Sequence, residues 1–387
     1  MKNFLQLIGR EFRLFYSNKV LLVLFIGAPI MYGVLIGNVY KKGKVTDLGI
    51  IVVDEDRSTT SQRLIQMIDD NEVTNVIAVV GDDLISRQMA LERDAPCVVY
   101  IPKDFEKSIF QKRYPEIIVY TNAANTLTAN FAANAINLSA ATLRAGIEIE
   151  ALKKQGVPPT IAANQYEPFR ITFIKENIRS NNYLYFMLPG VLLTVLQQVL
   201  LLGLALSFSA EYENGTFSEI ARRMPNAFGL IWVKTIPYIL MSIGIFVLYY
   251  FFSVIYRMPL QLAFWPFILS SILFILAVCA MGVLVSIILP SQLKSTEVLM
   301  VVATPSFILS GFTWPLSQMP GWVQTIADII PLTHYLKIFR VLVIEHGPVS
   351  LTRQPIYALG IIFVVCLVFA WVVLAFKIRK ERAVVNA

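Results

Sequence analysis

The chain has 387 residues, 56% of them hydrophobic and 15% charged, with a net charge of +7. Soluble domains carry about 25% charged residues, so the composition excludes a wholly water-soluble protein. Its basic residues cluster beside apolar stretches rather than along a groove-sized face, which points to a membrane surface and away from nucleic acid.

Taken in chain order, "NFLQLIGREFRLFYSNK" repeats apolar residues at Phe4, Ile8 and Phe12, joined by Leu5 and Phe15, with Arg10 and Arg13 on other faces. Residues 1–18 are therefore expected to form an amphipathic helix in the cytoplasmic interface of a membrane. The first 18 residues lack a signal-peptide cleavage site, and the apolar run 20–39 reads as a retained anchor, giving a first span over 19–40. A helix needs about 20 apolar residues to cross a bilayer. Stretches of that length occur at 20–39, 184–208, 235–256, 263–289, 296–315 and 356–376, with Pro266 and Pro305 expected to kink two of them.

Residues 41–182 look like an ordinary soluble domain. The runs 48–54, 74–80, 96–102 and 116–122 are short and β-rich, and helices are expected between them, one capped by Ser58. A long helix follows over about 125–155, with Leu127, Phe131, Leu138, Ala145, Ile149 and Leu152 on one stripe and Gly156, Pro158 and Pro159 ending it. The acidic turn Asp54, Glu55, Asp56 reads as a solvated strand end rather than a cation site, and no catalytic constellation is present. The expected fold is a polytopic α-helical membrane protein, six transmembrane helices with an inserted extracytoplasmic α/β domain.

Lys and Arg positions set the orientation. Lys2, Arg10, Arg13, Lys19, Arg222, Arg223, Lys234, Lys294, Lys377, Arg379, Lys380 and Arg382 fall on one side of the spans. Only Arg257, Lys337, Arg340 and Arg353 fall on the other, apart from the long 41–182 segment, which is exempt because large domains translocate regardless of charge. Both termini are then cytoplasmic and 41–182 is outside, in a multi-pass membrane protein.

The spans hold almost no ionisable residue at depth. Glu297 and Lys234 lie at span ends, and Gln197, Gln198, Ser242, Ser270, Ser271, Ser310 and Thr313 are neutral. An ion-coupled carrier usually needs charges at mid-depth, and no GxxxxGK[ST] loop supplies a nucleotide site. Energy for any transport must enter through another protein. The stretch "SAEYENGTFSEIARRMPNAFG" (209–229) is the expected entry point: within 211–224, a tight turn at Gly215 leads into a helix of about two turns that starts at a Thr216–Glu219 capping box and stops at Met224–Pro225. Phe217 and Ile220 are its expected apolar contacts with a partner, flanked by Arg222 and Arg223.

"EYENGTFSEIARRMPNAFGLIWVKT" resembles the E-x-E-x-G-T stretch of ABC-2 type permeases, and "ILSGFTWPLSQMPGWVQTIADIIPLTHYLKIFR" (308–340) is similar to that family's G-x-x-x-P…MP-x-W…P-L-T segment. The layout across the whole chain resembles the subgroup with a large domain between spans one and two. The resemblance implies a permease subunit without its own nucleotide site, no cofactor and no metal bound by this chain, and ATP and Mg used by a cytoplasmic ABC ATPase partner. It implies a second permease copy or a sibling chain. Carried over, Glu211, Glu213, Gly215 and Thr216 are ATPase-coupling residues, to which the charge pattern and capping pattern add Phe217, Glu219, Arg222 and Arg223. Gly311, Pro315, Pro320, Trp322, Pro331, Leu332 and Thr333 shape an extracellular re-entrant or short-helix segment, 316–340, at the outer mouth. The substrate-binding residues are unassigned; the apolar spans suit a hydrophobic or amphipathic cargo, and the large outer domain suits a periplasmic adaptor. The alternatives are a membrane-anchored sensor or scaffold with a ligand-binding outer domain and a membrane hydrolase. The first is disfavoured by five further spans without a signalling domain, the second by the missing catalytic constellation.

Overall fold

The computed structural model describes residues 2–166, 182–259 and 264–386. Residues 167–181 of the expected 41–182 domain, and residue 263 at the start of one expected span, lie outside the described residues. The described residues form two units, one of the residues up to Gly43 and from Asn182 onward, the other from Lys44 to Tyr166.

The first unit begins with α1 (Lys2–Ser17). Its buried line is Leu7, Glu11 and Phe15, one position round from the apolar line the sequence offers, so a carboxylate faces inward. Asn18 breaks the helix, its side chain accepting from the Val20 and Leu21 N–H groups. A continuous helical span, Lys19–Val39, follows as α2 (Lys19–Leu22), a π turn (Val23–Gly27) and α3 (Ala28–Val39). Gly33 and Gly37 face rings of Phe252 and Tyr256 so closely that a side chain at either would collide. In lipid, where apolar surface gains little from leaving solvent, such close packing is what holds helices together.

The inserted unit contains β1 (Leu48–Asp54), α4 (Thr59–Asp69), β2 (Thr74–Val80), α5 (Asp83–Glu92), β3 (Cys97–Ile101), α6 (Phe105–Phe110), β4 (Ile118–Thr121), α7 (Thr126–Lys154) and α8 (Pro159–Tyr166). The strands run in the order β2-β1-β3-β4, with β1 parallel to both neighbours and β4 antiparallel to β3. Alternation sends Ile50, Val52, Cys97 and Val99 to one face, under α4 and α7, and Ile51, Val53 and Val98 to the other, under α5. The long helix is where the sequence placed it, but its buried face is not. Ala129, Ala132, Ala135, Ile136, Ser139 and Leu143 pack inward, while Leu127 and Leu138 are exposed. Small residues let this helix lie close to its neighbours, and bulk was a poor guide to its inner side. The acidic turn is structural: Asp54 accepts from the Asp56 and Arg57 N–H groups and from the Ser61 hydroxyl, and Asp56 from Glu106 N–H.

The first unit resumes with α9 (Tyr183–Glu213), α10 (Phe217–Arg223), α11 (Ala227–Ile255), α12 (Phe264–Ile288), α13 (Gln292–Ala303), α14 (Ser306–Leu309), α15 (Gly321–Ile329), α16 (Pro331–Phe339) and α17 (Arg353–Asn386). Among the described residues five helices are long and apolar enough to cross a membrane: Lys19–Val39, Tyr183–Glu213, Ala227–Ile255, Phe264–Ile288 and Val349–Ala383. The stretch expected as a further span, 296–315, is instead divided into α13 and α14 at Thr304–Pro305, because proline has no N–H to continue the ladder and its ring crowds the preceding turn. Pro266 falls in the first turn of α12 as described, where that loss costs nothing. α9 is the central rod: α3, α11, α12 and α13 all pack on it, and Leu188, Leu196, Leu200, Leu204 and Phe208 are fully enclosed.

Candidate functional site: a buried charge cluster under a short exposed helix

At the C-terminal end of α9 the chain makes a hairpin elbow. Gly215 has φ +67°, its N–H donates to Tyr212 O, and Thr216 N–H reaches Glu211 O at 3.0 Å. This is a Schellman cap, which needs a residue free of Cβ strain in the left-handed region. The capping box expected for α10 is absent. Thr216 itself has helical dihedrals and makes no side-chain cap; its hydroxyl donates to Glu211 Oε2 instead. Glu219 pairs with Arg223 at 2.6 Å.

Glu211 is the centre of a charge cluster drawn from three helices. Lys234 Nζ, on α11, donates to Glu211 Oε1 at 2.6 Å and to Glu11 Oε1, on α1, at 2.9 Å. Arg10 donates to both Glu211 oxygens, at 2.8 and 3.1 Å, and to Glu11 at 3.0 Å. Lys234 is 1% exposed and Glu211 3%. Two cations and two carboxylates cancel, which is the condition for burying charge at all: an unpaired buried ion costs several kcal/mol. The Glu211 carboxylate holds the half-buried Arg10 guanidinium even more firmly protonated than an ordinary arginine. Glu213, the other glutamate of the E-x-E pair, is exposed and accepts from Gln292 N–H at 2.8 Å and from its side-chain amide at 2.6 Å, a negative charge at the start of α13. The two glutamates therefore tie the elbow to α1, α11 and α13.

α10 leaves this elbow with two faces. Phe217, Ile220 and Ala221 are buried within the chain, Phe217 against the Tyr212 ring at 4.7 Å. Glu219, Arg222 and Arg223 are exposed on the other face. Of the residues singled out in the sequence, Glu211 and Phe217 thus face inward, Thr216 is turned toward Glu211, and Gly215 and Glu213 sit at the exposed elbow. What sequence reasoning missed is that Glu11, Arg10 and Lys234 belong to the same cluster. A glutamate on the inner line of α1 and a lysine inside an apolar helix were the available signals.

The opposite end of α9 meets the 308–340 segment. Gly311, at φ +74°, turns the chain out of α14; Pro315 leads into a 3-10 turn, Leu316–Gln318, and Pro320 precedes α15, on which Trp322 is exposed. Pro331 starts α16 at its first position. Gln197, in the middle of α9, accepts from Leu332 N–H at 3.0 Å and donates to Ser306 Oγ at 3.0 Å, so one enclosed amide binds the start of α16 and the break between α13 and α14. Thr333 is buried beside it, its hydroxyl without a partner among the described residues.

The model of the ABC-2 family transporter proteins matches residues 19–372. The chain belongs to the ABC-2 transporter family. It is similar to the "Probable multidrug ABC transporter permease YbhR" of Escherichia coli K12, at 20% identity over 328 residues, 82% of this chain and 84% of that protein. It is also similar to "Probable multidrug ABC transporter permease YbhS" of the same strain, at 26% identity over 187 residues, 46% and 48% of the two chains. In this ABC-2 chain the E-x-E-x-G-T stretch is accordingly an elbow: its glutamates lock helices together, its glycine makes the turn, and the helix that follows presents the exposed charges.

Proposed function

We propose that the chain is the membrane subunit of an ATP-driven exporter, with α10 as the coupling helix against a separate cytoplasmic ABC ATPase that binds and hydrolyses ATP with Mg. Both termini, α1 and α10 lie in the cytoplasm, and the inserted α/β unit lies on the far side of a bacterial inner membrane. The broken α13–α14 pair makes the sixth crossing. A second permease, identical or sibling, completes the pathway. The relatives' names support a hydrophobic or amphipathic cargo, and the outer unit offers a surface to a periplasmic adaptor.

One observation carries this reading: a helix too short to be stable alone in water is anchored by a buried ion cluster while its charged face is left free. A displacement of α10 cannot be absorbed locally, since Glu211, Arg10 and Lys234 transmit it to α9, α1 and α11 together. Arg222, Arg223 and Glu219 are the contact face in this arrangement; Glu211 and Phe217 hold the helix rather than touch the partner. The test is co-purification of the ATPase with Arg222→Glu/Arg223→Glu. The expected result is loss of the ATPase with the permease's own stability lowered by only about 1–2 kcal/mol, from the lost Glu219–Arg223 pair and the acidic side chains at the end of α10. Undiminished ATPase binding by this variant overturns the assignment.

A further inference from the structure

The end of the first unit opposite the charge cluster carries a small cleft of about 170 Å³, lined among others by Ser310, Phe312, Leu316, Leu336, Lys337 and Arg340. It has two cations and no carboxylate in its wall. Lys337 is exposed and, among the described residues, makes no ion pair. Arg340 is fixed from one side: its Nη2 donates to Phe312 O at 3.0 Å and Gly311 O at 3.4 Å, and its guanidinium lies 5.2 Å from the centre of the Phe312 ring. A guanidinium has five N–H groups in a rigid fork, and those on Nε and Nη1 find no acceptor among the described residues. The fork is thus held open beside a free ammonium, an arrangement that matches a tetrahedral oxyanion.

Its position matches the headgroup layer of a bilayer. Phe186, near the start of α9, stacks on Phe312 at 4.5 Å, and Glu211 lies roughly 38 Å further along that helix at 1.5 Å per residue, so cleft and charge cluster are a membrane thickness apart. Trp314 and Trp322, both within the 310–340 stretch whose two ends line the cleft, are exposed, and α15 exposes an apolar line, Trp322, Ile326 and Ile329. Exposed tryptophans and an amphipathic helix of this kind settle at the membrane–water boundary. The volume decides what fits. Pockets for drug-sized molecules run from about 300 to 1,000 Å³, so this one takes a headgroup and not a whole cargo.

We propose that the cleft binds a phosphate group, with Lys337 and Arg340 on its oxygens and Phe312, Leu316 and Leu336 against the carbon chain next to it. It relies on the transport reading only for the side of the membrane. Two sources carry this chemistry, a phospholipid headgroup and a free phosphate, and the lipid is the one that uses the apolar wall.

The test needs no ATPase, so it stands apart from the coupling assignment. Purified full-length chain is placed in nanodiscs of mixed phosphatidylcholine and phosphatidylglycerol, and the lipids it retains are counted by native mass spectrometry. The wild type is expected to enrich phosphatidylglycerol. Lys337→Gln is expected to lower that enrichment about tenfold, the value of one charge-assisted hydrogen bond, and Lys337→Arg to preserve it. Lys337 makes no hydrogen bond or ion pair among the described residues, so an unchanged melting temperature in pure phosphatidylcholine verifies that the variant is folded. In a second arm, inorganic phosphate is titrated onto delipidated chain in neutral detergent. A Lys337-dependent rise in melting temperature without phosphatidylglycerol enrichment assigns the cleft to a soluble phosphate. If Lys337→Gln alters neither readout, the proposal is overturned.

Discussion

Lys234 is the most consequential side chain at the charged end of the bundle. It is enclosed and is held by two carboxylates from two different helices. Lys234→Met would leave Glu11 and Glu211 sharing one arginine in a dry site, and is expected to destabilise the chain by about 3–5 kcal/mol. Removing Glu11 as well, with Glu11→Leu, restores neutrality around the bidentate Arg10–Glu211 pair and is expected to recover much of that loss. Thermal unfolding of the single and double variants in detergent measures both; a double variant no better than Lys234→Met would show that the charges do not act as one group. Cys97 gives a separate check on the inserted unit. Burial raises its thiol pKa to about 11, so at pH 8 it is protonated and enclosed, and a maleimide is expected to label it only after that unit unfolds. Rapid labelling of the native protein at Cys97 would contradict the packing of β3.

The elbow between α9 and α10 depends on one backbone conformation. Gly215→Ala places a Cβ in the left-handed region, with open space around it, so the cost is conformational: about 1 kcal/mol, from the handedness preference of the backbone. Gly215→Asn is expected to cost less, since asparagine tolerates that region better. A ranking Gly, Asn, Ala in melting temperature checks the assignment. If alanine is as stable as glycine, the Schellman geometry is wrong. The break at Pro305 is a different kind of joint. It is bridged by Gln197 through Ser306, and Gln197 also holds the first turn of α16, so the three elements are set to move as one.

For the molecule as a whole, the distribution of Lys and Arg makes a prediction about sides. With cysteine placed singly at Arg222 or Arg353 in a chain freed of its native thiols, a membrane-impermeant reagent added to intact cells is expected to label position 353 and spare 222. The reverse pattern would invert the topology and with it the cytoplasmic role proposed for α10. The charge rule applies because basic residues near spans resist translocation, whereas a long segment between spans translocates largely regardless of charge.

How far each feature was readable follows from how local its cause is. Spans announce themselves because lipid demands about 20 apolar residues in a row, and five of the six stretches appear as helices of spanning length. The strand and helix order of the α/β unit was equally plain, since alternation, caps and prolines act within a few residues. Family motifs fall on the elbow between α9 and α10 and on the 308–340 segment. Three-dimensional packing alone decided which way those residues face. Glu211 looked like a surface contact until Arg10, Glu11 and Lys234 were brought around it from elsewhere in the chain, and the α7 stripe turned over because its neighbours accept alanine more closely than leucine. A buried charge is tolerated only where distant partners neutralise it, and sequence spacing does not record the meeting of residues some 200 positions apart.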